Sequence, residues 1–209
     1  MSDEPDDDAD NDVGGRHPGT IAPPPDQIAD LARACVDYVK RALNVELDFS
    51  AETLPMLDHY LVTRRSDLFD RPDLLQLVAR SSGAYFGEVV RRRVPAFWRL
   101  PANVRDWAVC ARPVFLWFNP IGAAHEAIAG SDEHDGPSSV LHVAPEYRAA
   151  VDQRLANLPP VPEEEYYSLA TRLEVIEIAI DELRLQLEKA GYSELEYDEG
   201  DYEVELTLN

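Results

Sequence analysis

Little in this chain invites covalent or metal chemistry. It has two cysteines, Cys35 and Cys110, 75 positions apart and each in apolar surroundings. They read as buried free thiols, which leaves no disulfide framework and no CxxC site. Basic residues are scarce, 19 lysines and arginines against 40 acids, for a net charge of −21. That balance argues against nucleic acid or an anionic membrane as partner, because affinity for either comes from cations neutralising phosphates. Long apolar runs are missing too. The longest uncharged stretch, residues 113–124, spans 12 residues and is broken by Pro120, short of the roughly 20 that a spanning helix needs. The first 12 residues carry seven acids and no base, the reverse of a secretion signal, so the expected setting is the cytoplasm. GxSxG, Walker A and dinucleotide fingerprints are absent, as is any repeat of solenoid period, and no cofactor is implied.

What is present is unevenly placed. Residues 1–12, 13–159 and 160–209 carry net charges of −7, −2 and −12, so the near-neutral middle is where a core is expected. Residues 1–25 combine acids with GG, HPG and PPP and lack hydrophobic periodicity, which predicts a disordered acidic tail. After Asp26, a candidate cap, Ile28, Leu31, Ala32, Cys35, Val36, Val39 and Leu43 form one helical stripe. Leu54, Leu57 and Leu61 form a second behind Ser50, with Pro55 tolerated near the first turn. A third helix starts at Pro72 and Asp73 and runs to Arg91, Arg92 and Arg93 before Pro95. In it Leu74, Leu77 or Val78, Ser81, Tyr85, Glu88 and Arg92 recur at helical spacing, with Gly83 and Gly87 one turn apart. Glycine costs about 1 kcal/mol against alanine inside a helix, so the pair predicts close approach by another backbone or a ligand.

Residues 107–111 and 114–118, rich in aromatic and β-branched side chains, predict paired strands. A turn at Asn119-Pro120-Ile121-Gly122 leads to a short helix over residues 123–129, a polar loop over 131–139 and a helix over 146–155. Pro159, Pro160 and Pro162 form a stiff separator. Beyond it Tyr166, Leu169, Leu173, Ile176, Ile180, Leu183, Leu187 and Ala190 make a coiled-coil-like seam. Val175, Ile178 and Leu185 lie opposite, so this helix must be covered twice or must offer a face to a partner. Tyr202, Val204, Leu206 and Leu208 alternate with Glu203, Glu205 and Thr207, the pattern of a terminal strand.

Candidate chemistry is sparse. Glu88 shares a helical face with Ser81 and Tyr85, where burial would suit acid–base work, but Arg91 and Arg92 follow at ion-pair spacing. His125-Glu126 opens like the zinc-protease pattern HExxH, and Ala129 stands where the second histidine is required. His125, Asp132, His134, Asp135 and His142 lack the spacing of a rigid half-site, so they read as a solvated loop and no metal is expected. Trp98, Trp107, Trp117, Phe115 and Phe118 read as core rather than pocket.

Residues 47–61, LDFSAETLPMLDHYL, followed by GAYFGEVVRR at 83–92 and a nearby tryptophan, resemble an arrangement found in bacterial domains of unknown function that carry a Gly-x-Tyr-x-Gly-Glu helix motif. The likeness covers about a third of the chain and implies a small α+β module with no assigned activity. The acidic N-terminus and the heptad-like C-terminal region lie outside it.

The expected architecture is α+β: N-terminal helices packed on a small antiparallel sheet, with a long acidic C-terminal helix and a terminal strand. The expected organisation is an acidic tail over 1–25, a core domain over 26–158, and a helix and strand over 163–209 docked on the core or on a partner. The expected function is a non-catalytic protein-interaction module that binds a protein partner, possibly basic, or a second copy of itself, through Val175, Ile178 and Leu185. The competing expectation is a small hydrolase using Glu88 with His125 or His59.

Overall fold

The computed structural model describes residues 22–192 and 195–206. Most of the expected acidic tail, residues 1–21, lies outside that range. Seven α-helices and a four-stranded antiparallel sheet make up the described chain, an α+β architecture.

Helix α1 (Asp26–Leu43) buries Ile28, Ala32, Cys35 and Val39, spaced four, three and four apart, and closes on Asn44 in the left-handed conformation. Pro25 holds the cap position, so Asp26 sits inside the first turn, where its charge still complements the helix dipole. Helix α2 (Leu54–Phe69) follows a short 3-10 turn, with Pro55 in its first turn. Helix α3 (Pro72–Arg93) is the centre of the molecule, because α1 packs along one side of it and α4 (Pro120–Ala129) along another. From Val78 to Arg91 only Arg80 is not buried. That enclosure is why both glycines are needed, although for different reasons. A Cβ on Gly83 would stand 2.6 Å from the Ile121 Cα and 2.8 Å from the Pro120 carbonyl oxygen, in the first turn of α4. On Gly87 it would overlap the Trp98 ring.

The sheet is a meander in chain order: β1 (Ala96–Arg99), β2 (Ala108–Ala111), β3 (Leu116–Phe118) and β4 (His142–Val143). The predicted strand pair is thus flanked by two further short strands, and α4 is inserted between β3 and β4. Register pairs Phe97 with Cys110 and Trp98 with Val109, then Cys110 with Trp117 and Val109 with Phe118. Alternation sends Trp98, Val109, Leu116, Phe118 and Val143 into the main core. It sends Phe97, Ala108 and Cys110 to the other face, where they meet Phe115 and Tyr202 in a second cluster.

Helices α5 (Pro145–Ala156) and α6 (Leu169–Lys189) complete the main body, and α6 packs on α2 and α4 as well as on α5. The seam is buried from Leu169 through Leu187, but Tyr166 precedes the helix and is 60% exposed. The expected terminal strand is instead helix α7 (Glu199–Leu206), with residues 207 and 208 outside the described range. The reason is local. The Asp198 carboxylate accepts from Gly200 N (2.8 Å) and Asp201 N (3.3 Å), while Asp201 accepts from Asp198 N (2.8 Å), a reciprocal cap that starts a helix. Tyr202 fills the second cluster, stacked on Phe115 at 4.5 Å with its hydroxyl donating to Ala111 O at 2.6 Å.

Replacing Gly83 by alanine is expected to destabilise the protein by about 1–3 kcal/mol, since a methyl pressed against backbone outweighs the roughly 1 kcal/mol that alanine gains in a helix. A denaturant midpoint equal to or above wild type would show that α4 can move away at no cost.

Candidate functional site

The residues that carry the Gly-x-Tyr-x-Gly-Glu pattern are all buried, and they turn to different neighbours. The Tyr85 hydroxyl accepts from Phe49 N (2.9 Å) and bonds Thr53 Oγ1 (2.7 Å), and its ring stacks on Phe49 at 4.8 Å. Phe49 has φ of +64°, an unusual value for a bulky residue, and the Arg92 guanidinium covers its other side 4.2 Å from the ring centroid. Glu88 is 4% exposed and accepts from Arg91 Nη1 (2.8 Å) and Trp98 Nε1 (2.7 Å) through the same oxygen. Arg91 continues to Ala96 O and Ala22 O. A buried carboxylate held this way is a structural ion pair, costly to break from one side. Neither His59, exposed on α2, nor His125, on α4, is among its hydrogen-bond partners, and it lines neither cleft described below.

Arg172 joins α4, the following loop and α6: its Nη2 pairs with Glu126 and bonds Ser139 Oγ at 3.0 Å, and Ser139 in turn donates to Glu126. Glu126 and Ser139 are both buried. The one available signal was Glu126 itself, the one acid in a ten-residue helix that is apolar apart from it and His125. At its N-terminus α6 is fixed by Ser168 and by Asp58 of α2, whose two oxygens accept from Leu169 N (2.7 Å) and Ala170 N (3.1 Å). Burial pushes the Asp58 carboxyl up to about 6 despite those two bonds.

Between α5 and α6 these anchors leave a cleft of about 840 Å³. Val175 and Ile178, two of the three expected contact residues, line it, together with Leu141, Leu155, Leu158 and the proline separator Pro159, Pro160 and Val161. Leu185, the third, is two turns further along α6, 43% exposed and outside the cleft. The second apolar stripe is therefore partly roofed by the chain's own α5 and partly open. The two arginines at the cleft are engaged, Arg172 by Glu126 and Arg148 by Leu141 O (2.6 Å) and Asp152 (3.7 Å). Of the acids there, Glu174 lines the cleft, and Glu163, Glu164 and Glu165 form the exposed turn between Val161 and Tyr166. Among the described residues none of these four is in an ion pair. Acids thus stand beside an apolar floor whose two lining arginines are already engaged.

The histidines divide. His142 stacks flat on Trp117 across β3 and β4, with centroids 3.7 Å apart. His125 and His134 come together, with ring centroids at 5.5 Å, at a second cleft of about 510 Å³. His125 is 4% exposed and its Nε2 has no hydrogen-bond partner. Burial, then the neighbouring His134, Arg105 and Arg80, push its pKa down to about 4. Among the described residues no group of three or more histidine, cysteine or carboxylate side chains could hold a metal ion. Cys35 and Cys110 are both free and buried, and burial raises each thiol to about 12, so neither is an activated nucleophile. Among the described residues no helix is long and apolar enough to cross a membrane. Comparisons with protein-family models, with curated proteins and with solved structures returned no match.

His125 sets a pH dependence whose sign is fixed by its direction. Its folded pKa of about 4 lies below the ordinary histidine value of 6.5, so between the two the unfolded chain binds the proton and the native chain does not. Its contribution to stability therefore falls as pH drops through that window. Asp58, raised to about 6 from 3.8, works the opposite way over nearly the same range. His125→Phe is accordingly expected to gain stability relative to wild type between about pH 7 and about pH 4.5, read as the difference in urea midpoints. Parallel midpoints at both pH values would mean that His125 is protonated as easily in the folded protein as in the unfolded one.

Proposed function

We propose that this chain is a non-catalytic protein-interaction module whose recognition surface is the groove between α5 and α6, and that it takes an apolar segment flanked by lysine or arginine from a partner protein. The observation that carries the reading is the cleft of about 840 Å³ over Val175 and Ile178, an apolar floor whose own cations are already paired and whose lining acid, Glu174, is in no ion pair among the described residues. A basic-flanked helix or extended segment would bury its apolar side chains there and meet Glu174 and the Glu163 to Glu165 turn at the rim. The net charge of −21 supports a cationic partner over nucleic acid or an anionic membrane surface. Two free thiols fit a reducing cytoplasm, the setting expected from the acidic N-terminus, and the sequence resemblance points to a bacterial cell. Homodimerisation through the same groove is less favourable because it would bring two acidic rims together.

The test uses two synthetic amphipathic peptides with one leucine stripe, one flanked by lysines and one by glutamates, titrated by calorimetry against the full chain. The lysine peptide is expected to bind, more weakly as salt rises, and the glutamate peptide not to bind. Ile178→Glu should abolish binding with an unchanged melting temperature, whereas Leu185→Glu, outside the cleft, should leave it nearly intact. Equal binding of both peptides, full binding by folded Ile178→Glu, or a dimer mass in light scattering that Ile178→Glu reduces to monomer would each overturn this reading.

A further inference from the structure

The outer face of the sheet is covered by α7 at one end. Tyr202 donates to Ala111 O (2.6 Å) and accepts from Leu116 N (3.1 Å), so the helix lies over the end where β2 turns into β3. Towards the other end, alternation puts Arg99 on the same face as Phe97, and register puts Trp117 and His142 on the same face as Cys110. These three side chains line a cleft of about 380 Å³, with Arg105 and Asp106 beside them.

The cleft combines two features that the groove and the His125 cleft lack. One is a flat aromatic wall. Trp117 and His142 are half-buried, with ring centroids 3.7 Å apart and planes within 3° of parallel. Burial, then Arg148, lower the His142 pKa, so near neutral pH the pair is uncharged. The other is positive charge that no carboxylate cancels. Neither Arg99 nor Arg105 is in an ion pair among the described residues. Arg105 donates to Asp135 O (2.8 Å) and Gly136 O (2.9 Å), which fix its guanidinium and leave its charge in place. Asp106 is the one acid of the lining, so two cations stand against one carboxylate in a chain whose net charge is −21.

We infer that this cleft binds a small aromatic carboxylate, its ring against the Trp117 and His142 pair and its carboxylate toward the Arg99 guanidinium. A flat wall favours a planar ring, which can pack on it offset or edge-on. The guanidinium fork matches the two oxygens of a carboxylate. An amine of the same shape would instead meet two like charges. A volume of about 380 Å³ lies toward the lower end of small-molecule pockets, about 300–1,000 Å³. No bond is made or broken, so the site is one of recognition.

The probes are naphthoate, naphthylmethylamine and cyclohexanecarboxylate. The amine keeps the flat ring and reverses the charge, and the third probe keeps the charge and loses the flat ring. Each is titrated into the full-length chain while the imidazole resonances of His142 are followed by NMR. Naphthoate is expected to shift them saturably below about 10 mM, and the other two to bind about tenfold more weakly or not at all. Arg99→Gln should weaken naphthoate about tenfold. Arg41→Gln, an equal change of charge at an exposed position of α1, should leave it nearly unchanged. Trp117→Leu should weaken naphthoate as well, and Arg99→Gln decides the matter if that variant does not fold. Ile178→Glu should leave the response intact, so failure here is distinct from failure of the peptide groove. No shift with naphthoate, an equal response to either other probe, or a loss in Arg99→Gln no larger than in Arg41→Gln would overturn the inference.

Discussion

Everything in this molecule is arranged around the closeness of α3 to what surrounds it. A helix buried on nearly every side from Val78 to Arg91 must let neighbours in to backbone distance, and Gly83 does so for the first turn of α4. Asn119 then holds that turn in place, its Oδ1 accepting from Ile121 N and Gly122 N and its Nδ2 donating to Arg105 O. Arg105 in turn holds the loop that carries His134, Asp135 and Gly136. One missing side chain on α3 thus determines where α4 starts, and where α4 starts bears on both clefts, because His125 lines one and its neighbour Glu126 holds Arg172 at the other.

The helical part of this plan was readable because its signals are local and repeat. The stripe of α1, the seam of α6 and the Pro72 start of α3 each appear in a few consecutive turns of sequence. The glycine pair announced close packing correctly, but nothing in the sequence could say that Gly83 meets a backbone and Gly87 an indole. β1 and β4 were not legible, since neither short strand shows alternation that stands apart from loop, and the pairing of β4 with β3 across about 25 residues leaves no local trace. The C-terminal segment misled for a definite reason. Alternation over residues 202–208 is a period-two signal, yet the start of an element is set by its cap, and Asp198 with Asp201 supplies a helix cap just before it. Of the groove, Val175 and Ile178 could be found from their position opposite the seam, whereas the roof made by α5 and the proline separator is a tertiary fact.

The buried ions show why a conspicuous carboxylate need not be a reactive one. Glu88 and Glu126 are both enclosed, and each is matched by an arginine plus a neutral donor, Trp98 in one case and Ser139 in the other. Such pairs contribute less to net stability than to uniqueness, because any alternative packing that separates them strands a charge in the interior. In this chain they tie α3 to β1 and α4 to α6, the two joints on which the orientation of the clefts depends.

The second cluster, on the outer face of the sheet, has a consequence of a different kind. Cys110 lies beneath Tyr202 of α7, whereas Cys35 lies in α1 against Ser82 of α3. A short helix anchored through Tyr202 opens more often than a long one packed along its whole length. The two thiols are consequently natural clocks for two different openings: the rate at which a thiol reagent reaches Cys110 times the lifting of the C-terminal helix, and the rate at which it reaches Cys35 times the parting of the main core. A chain with only two cysteines happens to carry one in each compartment, so local breathing and global unfolding can be followed separately without introducing a label.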